Sequence, residues 1–331
     1  MLNQPQKKEI RHMKFLDQLT KNEKSFQRIV GLSLKQVNEL TKKLLPIWSR
    51  AEEERLNNFS RKRAIGAGPK YHLEKLDEKL IGILLYYRQY PTQEFLGVML
   101  GLSQSAISRL LSRMLSLIEL AADPKLNDYL AEAKKTWCNL NRPGSWIEFL
   151  ESYPELKDTS TDATEQKCHR SKNQKKQKQF YSGKRKQHTI KTQLTVASFG
   201  HSGRILDVSN SYPGSTHDKT ILDIEKTPLK FPIMTPQRFD SGYQGAHKDY
   251  PNHYIIIPVK RPKGGELVDL EKDHNTAHSK RRVRSEHAIA KIKKFKVFAG
   301  LFRQPLEIYN QEFRNVAALI NFKMIGNTAK I

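Results

Sequence analysis

The sequence predicts an α/β protein: an all-helical N-terminal part followed by a mixed sheet flanked by helices. Three observations carry this expectation. Apolar residues recur at helical spacing through roughly the first 120 positions. From about Asp158 onward, β-branched segments alternate with helical ones. Gly, Pro and Ser clusters separate the segments at both levels. The 331 residues are enough for two domains, and the boundaries are expected at 1–120 (helical), 121–157 (a helical connector) and 158–331 (the sheet domain).

In the first part, Gly31-Leu32-Ser33 offers a helix stop followed by an N-cap. Val37, Leu40 and Leu44 then fall on one helical face. Pro46 is expected to kink or end that helix, with Ile47-Trp48 adding apolar surface beyond it. The stretch 60–70 (SRKRAIGAGPK) reads as a basic loop, and Leu73 to Tyr90 as a helix with Leu76, Leu80, Ile83, Leu84 and Tyr87 aligned. Pro91-Thr92 ends this helix and caps a short apolar one containing Phe95, Leu96, Val98, Met99 and Leu100. Gly101-Leu102-Ser103 turns the chain into a third helix, from about Gln104 to Leu120, with Ile107, Leu110, Leu111, Met114 and Ile118 buried.

Short helix, glycine turn, serine cap and amphipathic helix form a helix-turn-helix pattern. The exposed face of the second helix carries Gln104, Ser105, Ser108, Arg109, Ser112 and Arg113, side chains of the types that reach bases and phosphates. An ordinary packed helical hairpin has the same apolar pattern, and the charge of the chain favours the DNA-binding reading.

The connector holds helices around 130–135 and 146–151, punctuated by Asp123-Pro124 and Arg142-Pro143-Gly144. Strands follow at 189–198 and 204–209, then a Pro213-Gly214-Ser215 turn and a helix at 216–225. Short strands are expected at 236–240 and 254–259, a long basic helix at 280–298 and a last helix at 309–324. Strand, hairpin strands, helix, strand, strand, helix is the order of an RNase H-like domain.

Lys and Arg number 58 against 34 acidic residues, for a formal charge of +24 and a pI near 9.9. An excess this large points to a polyanionic partner. The charge is clustered as well: from Lys167 to Leu206 there is no acid. That run is expected to pass over bound DNA, with Phe180 and Tyr181 available for stacking, although a solvated loop has the same composition. Two isolated cysteines, Cys138 and Cys168, build neither a disulfide framework nor a zinc site, which fits a reducing cytoplasm. The N-terminus lacks the apolar core of a signal peptide, and no apolar run is long enough to span a membrane.

Against this basic background stand three acids: Asp162 in Thr-Asp-Ala-Thr-Glu, Asp240 in Arg-Phe-Asp-Ser-Gly-Tyr, and Glu286 in Arg-Ser-Glu-His-Ala. Carboxylates without thiolate partners suit hard divalent cations such as Mg²⁺. A pair of such ions can clamp the attacking and leaving oxygens of a phosphodiester. His188, His217 and His287 resemble a zinc set only superficially, since no cysteine joins them.

Five segments occur together in a particular order: Asp162-Ala163-Thr164-Glu165, Phe180 through Lys191, Pro213-Gly214-Ser215-Thr216-His217-Asp218, Asp240 through Gly245, and Arg282 through Lys293. Together they resemble the DDE-type insertion-sequence transposases, specifically the Harbinger-related group, over roughly Asp162 to Asn321, with the helix-turn-helix ahead of them also matching. The resemblance implies that Asp162 ends the first strand, that Asp240 follows the fourth, and that Glu286 lies on a late helix, the three holding two Mg²⁺ ions for which Mn²⁺ is an expected substitute. It also implies that Arg282 and Lys293 flank the glutamate. At about 100° per residue, positions 282, 286 and 293 share one helix face within roughly 40°. Lys184, Arg185, Lys186 and Lys191 join the expected DNA contacts.

Two positions depart from the family pattern: Ala163 replaces a glycine, and Ser279 stands where a tyrosine is often found. Asp218 is a candidate fourth active-site acid, but it follows a Pro-Gly-Ser turn at a helix start, where helix capping and dipole compensation account for it without catalysis. The resemblance implies a DNA transposase acting on the inverted repeats of its element and on target DNA, assembled as a homo-oligomer in the cytoplasm, on the nucleoid in a bacterial host. The alternatives are a domesticated nuclease of the same type and a non-catalytic helix-turn-helix regulator.

Overall fold

The computed structural model describes residues 15–57, 73–126, 128–140, 144–199 and 203–328. The expected basic loop at 60–70, and Arg142-Pro143 of the connector, lie outside them. The chain divides into two units, one of residues 1–123, 294–299 and 318–331, the other of 124–293 and 300–317.

The first unit is helical. Helix α1 (Glu23–Val30) stops at Gly31, whose φ of 98° is the left-handed conformation that favours glycine. Ser33 then opens α2 (Leu34–Leu56) with a full capping box, accepting from the Gln36 amide while the Gln36 side chain accepts from its own. Pro46 does not end this helix, which continues through it over 23 residues. Burial of Val37, Leu40 and Leu44 outweighs the one backbone hydrogen bond the proline removes. Helix α3 (Leu76–Gln89) starts later than expected at Leu73 and ends at left-handed Tyr90. Thr92 caps α4 (Gln93–Leu100) by accepting from the Phe95 amide, and Ser103 caps α5 (Gln104–Met114) by accepting from the Ala106 amide.

The turn between α4 and α5 depends on two glycines. Gly101 takes φ 67°, and a Cβ on Gly97 would meet the Leu102 carbonyl oxygen at 2.6 Å. The two helices meet at 101°, the geometry expected of a helix-turn-helix. Helix α5 is shorter than expected: it stops at Met114, and a separate α6 (Ile118–Ala122) follows a turn. Ile107, Leu110, Met114 and Ile118 are buried as expected, whereas Leu111 is only half-buried.

The second unit begins with α7 (Tyr129–Leu140) and α8 (Ser145–Ser152). These pack through Tyr129, Leu130, Ala133 and Phe149 onto Ala197, Leu206 and Phe231 of the sheet region. Strand β1 (Thr159–Lys167) is followed by α9 (Gln174–Phe180), β2 (Tyr181–Ser182), β3 (Gln187–Ala197), β4 (Ile205–Pro213) and α10 (Asp218–Glu225). Then come β5 (Gln237–Arg238), α11 (Ala246–Asp249), β6 (Ile255–Ile256), α12 (Asp269–Lys293) and α13 (Tyr309–Thr328). The sheet order is β2-β3-β1-β5-β6, with β4 pairing β3. β1 is antiparallel to β3 along its whole length, from Thr159 opposite Ala197 to Lys167 opposite Thr189, and parallel to β5 at Thr159 and Ser160 only. Helix α12 packs on β1 and β3, and α10 on β3 and β4. This is the expected mixed sheet flanked by helices.

Element lengths differ from expectation where pairing overrides local pattern. β4 continues to Pro213 because Ser211, Tyr212 and Pro213 find partners in Thr192, Lys191 and Ile190. β5 and β6 shrink to two residues each; among the described residues β5 pairs with the first two residues of β1 and with β6, and β6 pairs with β5. Helix α12 begins at Asp269 and stops at Lys293, leaving 296–298 as a separate 3₁₀ turn. The basic run is also structured: it holds α9, which buries no residue, and the β2–β3 hairpin.

Glu312, in the first turn of α13, is 2% exposed, and its Oε2 has no hydrogen-bond partner. Burial pushes its carboxyl up to about 8. The folded state thus holds a proton that the unfolded chain releases above pH ~4.3. The associated stability is present at low pH and is lost as pH rises through the folded value. Glu312→Gln should leave the melting temperature near wild type at pH 4.5 and raise it increasingly towards pH 8.5. A difference that does not change with pH would refute the assignment.

Candidate active site

Asp162 sits in the middle of β1, not at its end as expected, because the pairing with β3 carries the strand on to Lys167. It does lie just beyond Ser160, the last β1 residue paired with β5, where that edge of the strand is released. Its Oδ1 accepts from the Ala163 amide at 2.8 Å. Ala163 is not among the positive-φ residues, so the family's glycine is not needed here. Asp240 lies two residues beyond the end of β5 and caps a 3₁₀ turn at 241–243, accepting from the Gly242 amide at 2.8 Å. Glu286 stands on α12 and is 54% exposed.

These three carboxylates meet at one cation. Arg282 Nη2 lies 2.9 Å from Glu286 Oε1, while its Nη1 lies 3.4 Å from Asp162 Oδ2 and 4.0 Å from Asp240 Oδ2. Arginine and glutamate are one helical turn apart on α12, and the planar fork spans the gap to both strand-borne acids. Burial pushes the Asp162 carboxyl up to about 6; Arg282 pulls it down, and the neighbouring Asp240 and Asp218 charges push it further up.

A second charge cluster adjoins the first. Lys191, on β3, is buried; its Nζ contacts Asp218 Oδ1 at 2.9 Å, the Thr216 carbonyl at 2.8 Å and Glu165 Oε1 at 3.6 Å. It is therefore not a surface DNA contact, contrary to expectation: the extended β3 turns it inward against two carboxylates. Asp218 opens α10, and its other oxygen comes near Asp240. A Cβ built on Gly242 would lie 2.9 Å from Asp240 Oδ1 and 3.5 Å from Asp218 Oδ2. Gly242 leaves the room that both carboxylates use. Asp218 stands at the rim, while Arg282 gathers Asp162, Asp240 and Glu286. Below them Tyr243, fully buried, donates to Gln193 Oε1 at 3.1 Å, and Gln193 donates to Thr227, anchoring the Asp240 turn to β3.

Among the other expected contacts, Lys184, Arg185 and Lys186 are exposed in the β2–β3 turn, where Lys186 takes φ 54°. Lys293 is half-buried; burial lowers its pKa, the nearby Arg185 lowers it further, and Glu165 and Asp162 oppose the shift. In the helical unit, Gln104, Ser105 and Arg109 are exposed on α5, and Ser108 is half-buried. Arg113 departs from expectation: it turns towards α2 and pairs with Glu52 at 3.7 Å. Sequence reasoning missed Lys191 as an internal counter-ion and Gly242 as a spacer. Alternation along β3 places Lys191 on the same face as Gln193, which was the available signal for the first.

A divalent cation is the group the acid set implies, and its oxygen donors are of the hard type that Mg²⁺ takes. The like-charge repulsion between Asp162 and Asp240 is what such an ion relieves. Among the described residues no three His, Cys, Asp or Glu side chains are yet gathered into a coordination shell, and the guanidinium of Arg282 stands among the acids instead.

Residues 161–321 match the family described as DDE superfamily endonuclease, and residues 71–124 match the helix-turn-helix of DDE superfamily endonuclease. Both matches are to DDE superfamily endonucleases and support a DDE-type insertion-sequence transposase, without separating the Harbinger-related group from others. It is 25% identical over 301 residues to a probable transposase for insertion sequence element IS702 from Microchaete diplosiphon, covering 91% of this chain and 95% of the relative. No solved structure matches. Among the described residues no single helix is long and apolar enough to cross a membrane.

Lys191 supplies the test of the inner cluster. Lys191→Met leaves Glu165 and Asp218 facing each other without their shared cation and should destabilise the fold by about 3–5 kcal/mol. Urea unfolding measures this; a loss below about 1 kcal/mol would show that the pair is screened like a surface contact.

Proposed function

We propose that this chain cuts the phosphodiester at the ends of its insertion sequence and joins the released 3′-hydroxyl to target DNA. The observation that carries the reading is the meeting of Asp162, Asp240 and Glu286, borne on three separate elements, around the one guanidinium of Arg282. Two Mg²⁺ ions, or Mn²⁺ in their place, supply Lewis-acid stabilisation of the phosphodiester when bound. Asp162 and Asp240 would hold them from the strand side and Glu286 from the helix side. The guanidinium of Arg282 is a planar partner for a phosphate oxygen, a match that lysine does not provide.

Lys293, Arg185, Lys184 and Lys186 hold the backbone next to the acids, and the exposed cations of α9 extend that surface. Gln104, Ser105, Ser108 and Arg109 on α5 read the element end. The chain's charge of +24 favours DNA over other partners. Joining two ends requires both in one assembly, so the working form is a homo-oligomer on DNA, at the nucleoid in a bacterial cytoplasm. Water and the 3′-hydroxyl are the nucleophiles, so no side chain forms a covalent intermediate.

Asp162→Asn, Asp240→Asn and Glu286→Gln should each bring Mg²⁺-dependent nicking of element-end DNA to background, with DNA affinity little changed. A variant that nicks normally removes its residue from the set. If all three do, the helix-turn-helix regulator is the better reading. Arg109→Ala should weaken binding to the element end by about 1–3 kcal/mol while sparing random DNA. Equal loss on both, read in competition binding at fixed salt, makes Arg109 a phosphate contact.

A further inference from the structure

We infer that Asp158 is the positioning residue of the acid site: one buried carboxylate ties together the three segments that carry Asp162, Asp240 and Glu286. The inference rests on the reading of those acids given above. The Asp158 side chain is 7% exposed. Arg238 Nε lies 2.8 and 3.0 Å from its two oxygens, and Arg281 Nε lies 3.8 Å from Oδ2. Asp158 immediately precedes β1, Arg238 is the last residue of β5 and sits two positions before Asp240, and Arg281 neighbours Arg282 on α12. Each acid-bearing element thus sends one charged side chain to the same point.

The backbone alone holds these elements weakly. β5 meets β1 at only two residue pairs, Thr159 with Gln237 and Ser160 with Arg238. A slip there would carry Asp240 away from Asp162. Asp158 resists it from both sides, since its own carbonyl accepts from the Ser198 amide at 2.7 Å, fixing the start of β1 against the end of β3. On the same helix α12, His278 is buried. Burial and the charge of Arg238 press His278 down to about 4, so it adds no competing positive charge at neutral pH. A buried, charge-assisted pair in which the Arg238 Nε–H is shared by both carboxylate oxygens fixes the spacing between the start of β1 and the end of β5. Outer partners of this kind set ligand geometry without touching the ion or the substrate.

The test is calorimetric titration of the full chain with Mn²⁺ in the absence of DNA, alongside duplex-DNA binding and thermal melting. Asp158→Asn should weaken Mn²⁺ binding about tenfold and leave affinity for a generic duplex unchanged. Wild-type Mn²⁺ affinity in this variant overturns the inference even if the melting temperature falls, because the ion pair then serves stability alone. Asp240→Asn is the control for the underlying reading. Wild-type Mn²⁺ affinity there means that the acids are not the metal site, a failure distinct from that of Asp158. Should Asp158→Asn not fold, Arg281→Gln alters only a half-exposed side chain. It should bring a smaller loss of Mn²⁺ affinity at unchanged melting temperature, and unchanged affinity overturns the coupling to α12.

Discussion

The acid site depends on Arg282. Three carboxylates from a mid-strand position, a strand end and a helix repel one another, and the repulsion grows as water is excluded. One guanidinium within 4.0 Å of all three offsets this and sets where each acid points. A lysine offers one compact charge; the planar fork of arginine serves several acceptors at once. Burial is the main reason the Asp162 carboxyl is raised; Arg282 opposes it, and the Asp240 and Asp218 charges add to it.

The second consequence is the sorting of charge. The molecule is strongly basic, yet its buried cations are committed inward. Lys191 serves Asp218 and Glu165, Arg238 serves Asp158, and Arg113 serves Glu52. Cations left to solvent include those of the β2–β3 turn, of α9 and of the α5 face. Basic residues that are near neighbours in sequence therefore fall into two classes, internal counter-ions and surface cations. For a polyanionic partner only the second class counts.

Local chemistry explains what was legible. The helix-turn-helix follows from caps and glycines: Thr92, Ser103, Gly97 and Gly101 each have a role within a few residues of themselves. Gly31 and Ser33 do the same for the first two helices. The acids were legible because few residue types perform hard-cation chemistry, and Arg282 because it shares the Glu286 helix face. Errors arose where a distant partner decides. Pro46 is carried by the burial of its helix, Lys191 by the face of β3, and Arg113 by an acid far away in sequence.

The sequence by itself determined the α/β class, the helix-turn-helix, the order of strands and helices, and the residue types of the site. Each of these depends on periodicity, capping and the chemistry of single side chains. Only the tertiary structure decided that β1 runs on past Asp162 and that β5 and β6 are two residues long. It also decided that Arg282 gathers the three acids while Lys191 holds Asp218 at their rim. A strand's length is set by the partner that hydrogen-bonds it, and a charge's role by the charges folded against it. Both are properties of residues far apart in the chain.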